Sequence, residues 1–258
     1  MHRLAAGGPC NTMDLMSAPQ LSGETLSKLC QYDTPTVCNV IELFGVRPQT
    51  DGYMDARIKA CFPEMGPICG YASTATFRSA LKPWGAGAYG TLDDQLARFG
   101  EVPGPPLVVV QDLDSPTKSA TFGEVMASTY KSFGAVGLIT SGAGRDLDQV
   151  RAVGLPCFAD GVISSHGYPQ LLEFQIPVHV GGLAVYPGDL VHADQNGVTN
   201  IPGEIAGQVA DVCEEFCAAE AVVLDYCSGG NVTVEGFSVA RQELGRRLQA
   251  LKQRVQGR

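Results

Sequence analysis

The spacing of apolar residues changes several times along the chain, and each change marks an element. In "SGETLSKLCQYD" Leu26, Leu29 and Cys30 share a helical face, with Ser22 placed to cap it. "TPTVCNVIELFG" predicts a second helix, with Thr34 as cap and Pro35 at the first helical position. Val37, Val40, Ile41 and Phe44 mark its inner side, and Gly45 ends it. The runs "ARIKACF" and "PICGYASTATFRS", broken by glycine and proline, predict strands. "LDDQLARF" predicts a short helix and "PPLVVVQDLD" a buried strand. In "TFGEVMASTYKSFG" the residues Phe122, Val125, Met126, Tyr130 and Phe133 fall on one stripe, predicting a helix that buries them. "AVGLITSG", "DLDQVRAVG" and "LPCFADGV" continue as strand, helix and strand. "VHVGGLAVYPGDLVHADQNGVTNIP" alternates strands with turns, and "QNG" marks a hairpin. Two helical patterns close the chain, "GEIAGQVADVCEEFCAAEAVVLDYC" and the basic "SVARQELGRRLQALKQRVQGR".

This alternation predicts a layered α/β body with mixed sheets. The expected organisation is an N-terminal arm over residues 1–21, a domain over 22–228 and a C-terminal helical extension over 229–258. At 258 residues and 45% hydrophobic content the chain can bury a sizeable core. Its formal net charge of -9 disfavours general binding to nucleic acid, yet leaves room for a local anion site. The nine cysteines form no CxxC pair and read as reduced, mostly buried thiols. No apolar run approaches the roughly 20 residues that span a bilayer, so the expected location is the cytoplasm, with no membrane partner.

The stretch "GLITSGAGRDLDQV" carries the densest chemistry. Gly142 and Gly144 let backbone N–H groups converge, and the helix that starts behind them adds the positive end of its dipole. Arg145 adds a fork suited to a carboxylate or phosphate. Asp146 has two readings, a helix cap or a ligand for a divalent cation that draws the anion in. The second reading suits a 2-oxo acid. Glu124 supplies another carboxylate at the start of the "GEVMAS" helix, where Val125 and Met126 offer first-turn N–H groups. The two strand–loop–helix units can bring both helix starts to one sheet edge, where ligands gather in α/β folds.

The blocks "GEVMAS", "GAVGLITSGAGRDLDQVRAVGLPCFADG" and "VHVGGLAVYPGDLVHADQNGV" resemble a known family, as does "YDTPTVCNVIE". That family includes the regulator of ribonuclease activity A and the class II 4-hydroxy-4-methyl-2-oxoglutarate and 4-carboxy-4-hydroxy-2-oxoadipate aldolases. The resemblance covers about residues 24–228. It implies a swivelling β/β/α fold assembled as a homotrimer or homohexamer, with sites between subunits. It implies a lyase that uses Mg²⁺ or Mn²⁺ to cleave a 4-hydroxy-2-oxo acid to pyruvate and a second oxo acid, with oxaloacetate decarboxylation as a companion activity. On this chain the implied metal site is Asp146 directly, Glu124 through water and Glu220 from a neighbouring subunit. Gly123, Val125, Met126 and Arg145 are the implied substrate contacts. Where family members often read DGAVRD, this chain reads "SGAGRD", which puts the identity of the oxo acid in question.

Two rival functions remain open. One is a non-catalytic regulator that binds a protein partner. The other is a methyltransferase, for which no glycine-rich S-adenosylmethionine loop with a ribose-binding acid is evident. Outside the main blocks, His166 is a candidate for the border of the substrate site. Asp112, Asn39 and Glu42 are candidates for a cleft lining, Asp114 leaves the "LVVVQDLD" strand nearby, and His179 and His192 read as structural. Trp84, in the glycine-rich "LKPWGAGAYG", reads as a hydrophobic anchor or part of a lid. Lys118 and Lys131 read as surface residues, so no Schiff-base lysine accompanies the motifs.

Overall fold

The computed structural model describes residues 18–85 and 89–257. Most of the proposed N-terminal arm and the centre of the glycine-rich loop lie outside the described residues. Two helices come first, α1 (Gly23–Leu29) and α2 (Thr34–Phe44). Ser22 caps α1 as expected, its side chain accepting from the Thr25 amide. The cap of α2 is Asp33, not Thr34: its carboxylate accepts from the Thr36 amide, and Thr34 and Pro35 open the helix itself. A carboxylate outcompetes the adjacent hydroxyl for that amide because it is the stronger acceptor at the positive end of the dipole.

The body follows as β1 (Lys59–Ala60), β2 (Ile68–Arg78), α3 (Leu92–Ala97), β3 (Pro106–Asp112), β4 (Ala120–Phe122), α4 (Glu124–Ser132) and β5 (Gly137–Thr140). It continues through β6 (Ala143–Gly144), α5 (Leu147–Val153), β7 (Cys157–Ala159), β8 (Gly161–Val162) and β9 (Gln170–Phe174). The last strands are β10 (Val178–Val180), β11 (Leu183–Val185), β12 (Leu190–Asp194) and β13 (Gly197–Ile201). Helices α6 (Ala206–Ser228) and α7 (Val234–Gln256) end the chain.

The main sheet runs β1-β7-β5-β3-β2-β12-β13, with β9 beside the second half of β2. Its centre, β2-β3-β5-β7, is parallel, and its flanks are antiparallel, as the mixed pattern predicts. The parallel strands read as continuous apolar runs because helices and neighbouring chain cover both faces: Leu107, Val108, Val109, Val110, Leu138 and Ile139 are all fully buried.

A second, three-stranded sheet, β4-β6-β8, is parallel throughout. Each of its strands continues one central strand of the main sheet: β3 leads to β4, β5 to β6 and β7 to β8. Helices α4 and α5 then start directly behind β4 and β6, which sets their N-termini side by side.

Of the expected stripe, Tyr130 and Phe122 are buried and Met126 packs partly against the core, with Ala127 buried beside them, whereas two members are not. Phe122 belongs to β4, Val125 is 75% exposed and Phe133 is 58% exposed. The tight turn from β4 into α4 rotates the helix so that Val125 and Met126 face the cleft described below. Helix α7 packs on α6 and α2, burying Ala240, Leu251 and Val255, so the basic tail is a packed helix rather than a free one. Three of its arginines are held by acids: Arg246 and Arg247 pair with Glu243, and Arg254 with Glu215.

The buried His192 fastens the two N-terminal helices to β12. Its Nδ1 meets the Thr34 hydroxyl at 3.0 Å and its Nε2 meets the Leu29 carbonyl at 3.2 Å, which fits a neutral ring donating through Nε2. Asp194 accepts from the Thr34 amide at 3.1 Å. The described cysteines are all free thiols, and burial pushes Cys61 up to about 11, so it stays protonated at neutral pH. Among the described residues, no helix is long and apolar enough to cross a membrane.

Candidate active site

The turns after β4 and β6 build one cleft of about 290 Å³. Gly123, Glu124, Val125 and Met126 form one wall, and Arg145 and Asp146 the other. Five of these six, all but the glycine, present either a charged side chain or a first-turn amide to the space between. Glu220 is the one predicted site residue that is not there. It lies on α6 near Asp33, where burial and that neighbouring acid raise its carboxyl above the usual carboxylate value. The last buried residue of α6 is Ala219, so Glu220 begins the part of the α6–α7 hairpin that leaves the body.

Asp146 does not cap its own helix. It occupies the capping position of α5, yet its side chain makes no capping hydrogen bond. Its backbone sits at φ 53° and ψ 41°, in the left-handed region, which costs a non-glycine residue on the order of 1 kcal/mol. That conformation turns the carboxylate across the cleft. Its Oδ2 accepts from the Glu124 amide at 3.3 Å and lies 3.6 Å from Arg145 Nε. The other carboxylate oxygen has no protein partner among the described residues.

The close approach requires Gly123. A Cβ at that position would lie 2.6 Å from Asp146 Oδ2 and 3.1 Å from Arg145 Cγ. Gly142 and Gly144 have a different job from the one expected. The Gly142 amide is already spent on Thr140 Oγ1 at 3.0 Å, and a Cβ on Gly144 would lie 2.5 Å from the Phe122 ring. These glycines let β4 and β6 pack closely, and they offer no amides to a ligand. The first-turn amides that border the cleft are instead those of Val125 and Met126, in α4, whose capping glycine supplies no side-chain acceptor.

His166 lines the same cleft, as its candidacy suggested. The other candidates lie elsewhere. Asn39 is exposed on α2, and Glu42 lines a small hollow with Arg47 and Tyr53. Trp84 is 90% exposed and anchors nothing. His179 is exposed on β10, its amide donating to Gln111. Lys131 reaches the last carbonyls around α5, at Val153 and Gly154.

Asp112 lines a larger cleft of about 610 Å³ at the β8 edge of the small sheet. Its Oδ1 accepts from the Asp114 amide at 2.9 Å, while its Oδ2 is buried without a partner. Burial raises its carboxyl above the usual value. Asp114 is committed to the amides of Ser79 and Ala80, and Ser141 Oγ accepts from the Asp112 amide.

Comparison with known proteins agrees with this architecture. A crystal structure of an uncharacterised protein from Pseudomonas syringae superposes with a TM-score of 0.67 at 21% identity, covering 90% of this chain and 98% of that one. The crystal structure of Streptomyces coelicolor RraAS2, described as an unusual member of the RNase ES inhibitor RraA family, gives 0.61 at 24% identity, covering 78% and 96%. A relative in Halalkalibacterium halodurans, named "Putative 4-hydroxy-4-methyl-2-oxoglutarate aldolase", is 31% identical over 96 residues, 37% of this chain and 46% of that protein. The matched stretch spans under half the length of the first curated relatives. The family model described as RraA-like, Aldolase/RraA, matches residues 34–199, which include both turns of the cleft. The chain therefore belongs to the RraA-like family.

Proposed function

We propose that the chain is a divalent-metal-dependent lyase that cleaves a 4-hydroxy-2-oxo acid to pyruvate and a second oxo compound. Oxaloacetate decarboxylation is the expected companion activity. One observation carries this reading: Asp146 holds a left-handed backbone and forgoes capping, so that its carboxylate reaches the uncapped turn of α4 beside Arg145. That strain is kept for a carboxylate with one oxygen on the Glu124 amide and the other open to the cleft, and strained residues of this kind cluster at functional sites.

The donors in the cleft suit a hard cation. Asp146 has a free oxygen and the exposed Glu124 has no partner among the described residues. Mg²⁺ and Mn²⁺ accept one or two carboxylates and fill their other positions with water and substrate oxygen. No three ligating side chains gather within one chain among the described residues. Glu220 therefore serves only if a neighbouring copy in a trimer or hexamer brings it. When bound, the cation supplies positive charge beside the oxygen on which negative charge develops.

The protein's own groups do the rest. The amides of Val125 and Met126 hold the substrate carboxylate at the positive end of α4. Arg145 places its planar fork beside the 2-oxo group. Cleavage breaks the C3–C4 bond: the C4 hydroxyl gives its proton to water, C4 becomes the carbonyl of the second product, the C3–C4 electron pair passes to the pyruvate enolate, and C3 then takes a proton from water to give pyruvate. Arg145 and the helix dipole stabilise that negative charge without reorganising.

A lactate-dehydrogenase-coupled assay over a panel of 4-hydroxy-2-oxo acids and oxaloacetate tests the reading. Pyruvate release is expected with Mg²⁺ or Mn²⁺ and is abolished by EDTA. Arg145→Ala lowers it by about 10²- to 10³-fold. Release that is indifferent to EDTA refutes the proposal. The alternative, a non-catalytic regulator bound to a protein partner, predicts no release at all and an Asp146→Ala protein that behaves like the parent.

A further inference from the structure

The cleft continues past its charged wall. Met126 and Pro169 line it, and the same two residues line an adjoining hollow of about 260 Å³. Phe77, Pro83, Tyr89, Leu92 and Leu171 supply its other walls. Among the described residues, no aspartate, glutamate, lysine, arginine or histidine faces this space.

The polar groups around it are already engaged. Gln170 gives its Nε2 to the Leu81 and Tyr168 carbonyls and accepts from Arg78 Nε at 3.1 Å. The Tyr89 hydroxyl accepts from Arg78 Nη2 at 3.0 Å and from the Trp84 amide at 2.9 Å. Arg78 is a cation that lies behind this wall. Its guanidinium carbon lies 5.5 Å from the centre of the Tyr89 ring, and it is not part of the wall.

We infer that this hollow receives the C4 substituent of the substrate, and that the substituent is apolar: an aryl or branched alkyl group rather than a second carboxylate. The inference rests on the lyase reading above, which fixes the 2-oxo acid head at Arg145 and the α4 amides. From that head the chain of the substrate leads past Met126 into the hollow. A carboxylate placed there would lose its hydration and find, among the described wall residues, no cation and only the Tyr89 hydroxyl proton as a side-chain donor not already engaged. A phenyl ring or leucine-sized group would exchange water for Phe77, Leu92 and Leu171.

Binding of unreactive analogues tests this directly. With the full chain and Mg²⁺, titration calorimetry compares 2-oxo-4-phenylbutanoate with 2-oxoglutarate, which share the head and differ in the tail. The phenyl compound is expected to bind at least about tenfold tighter. Pro83→Arg, at an exposed position on the rim, should narrow or reverse that ratio. Exchange of the pyruvate methyl protons in D₂O by the parent needs only the head site and reports whether that site works. Tighter binding of 2-oxoglutarate by the parent, with exchange intact, overturns the apolar hollow and leaves the lyase standing. Absence of exchange in the parent overturns the lyase reading and this inference with it.

Discussion

Two clefts flank the small parallel sheet, and the proposed chemistry is assigned to the smaller one. The cleft at the β8 edge has about 610 Å³ and three aspartates on its wall, Asp112, Asp114 and Asp160. Two of the three are tied to backbone amides, Asp112 Oδ1 to that of Asp114 and Asp114 Oδ2 to those of Ser79 and Ala80. The cleft at the β4 edge has about 290 Å³ and presents free groups: two uncapped amides, a guanidinium and two carboxylates. Volume and acidity mark a hollow, whereas unspent hydrogen-bonding capacity held under strain marks a site. In the larger cleft the acids are largely spent on amides, Asp112 Oδ2 excepted; in the smaller, the Glu124 carboxylate and one Asp146 oxygen stay open to the space, which suits a ligand.

The comparison breaks first at Asp146. Asp146→Ala should lower pyruvate release by about 10²- to 10³-fold, because it removes the carboxylate that the strained turn exists to present. Gly→Ala substitutions then set the two clefts against each other with the same single methyl. At Gly123 the added Cβ meets Asp146 Oδ2 and must displace it. Activity should fall about 10²-fold, as misplaced groups in other active sites do. At Gly161, on the wall of the larger cleft, nothing lies within 4 Å of the new Cβ. Activity and melting temperature should both match the parent. A loss at Gly161 as large as that at Gly123 would mean that the wrong cleft has been chosen.

Much of this site is legible in the chain. The glycine-rich turns and the charged residues behind them mark two helix starts, and the strand–helix alternation brings those starts to one edge. Three things are hidden, each for a physical reason. Strands of two or three residues, such as β6 and β8, carry no period to read, so the small sheet that aligns the helices is invisible. The conformation of Asp146 depends on the turn it closes, and a helix cap is the lower-energy expectation for aspartate at that position. The stripe drawn on α4 assumes that apolar residues face the core, whereas Val125 and Met126 face the cleft and its apolar extension. The α2 cap shows the opposite case, in which the signal is present but shared between neighbours: Asp33 and Thr34 both suit the role, and charge decides.

A smaller effect separates both clefts from the helical layer above them. Burial holds the His192 imidazole below its usual value. The folded protein keeps the ring neutral, while the unfolded chain takes up a proton near the ordinary value of about 6.5. Stability from this group is thus full above that value and falls as pH drops through it, by at most about 1.4 kcal/mol per pH unit. Urea denaturation between pH 7.5 and 5.5 should show the decline in the parent. His192→Gln should start from a lower stability and follow a flatter line. An unchanged slope would mean that His192 is not the group responsible.

The least change is expected at Asp112, and for that reason it tests the comparison most sharply. Its unpartnered Oδ2 is the feature that would tempt a reader toward the larger cleft. Burial raises its carboxyl and so favours the protonated, neutral form. An amide has nearly the same shape and carries no charge for burial to disfavour. Asp112→Asn retains an oxygen to accept from the Asp114 amide, so stability should move by less than about 1 kcal/mol. Pyruvate release should stay within about twofold of the parent, since the smaller cleft is untouched. Asp146→Asn keeps its shape equally well and still removes the charge, so it should lose activity. If instead Asp112→Asn abolished release and Asp146→Asn did not, the chemistry would belong to the larger cleft.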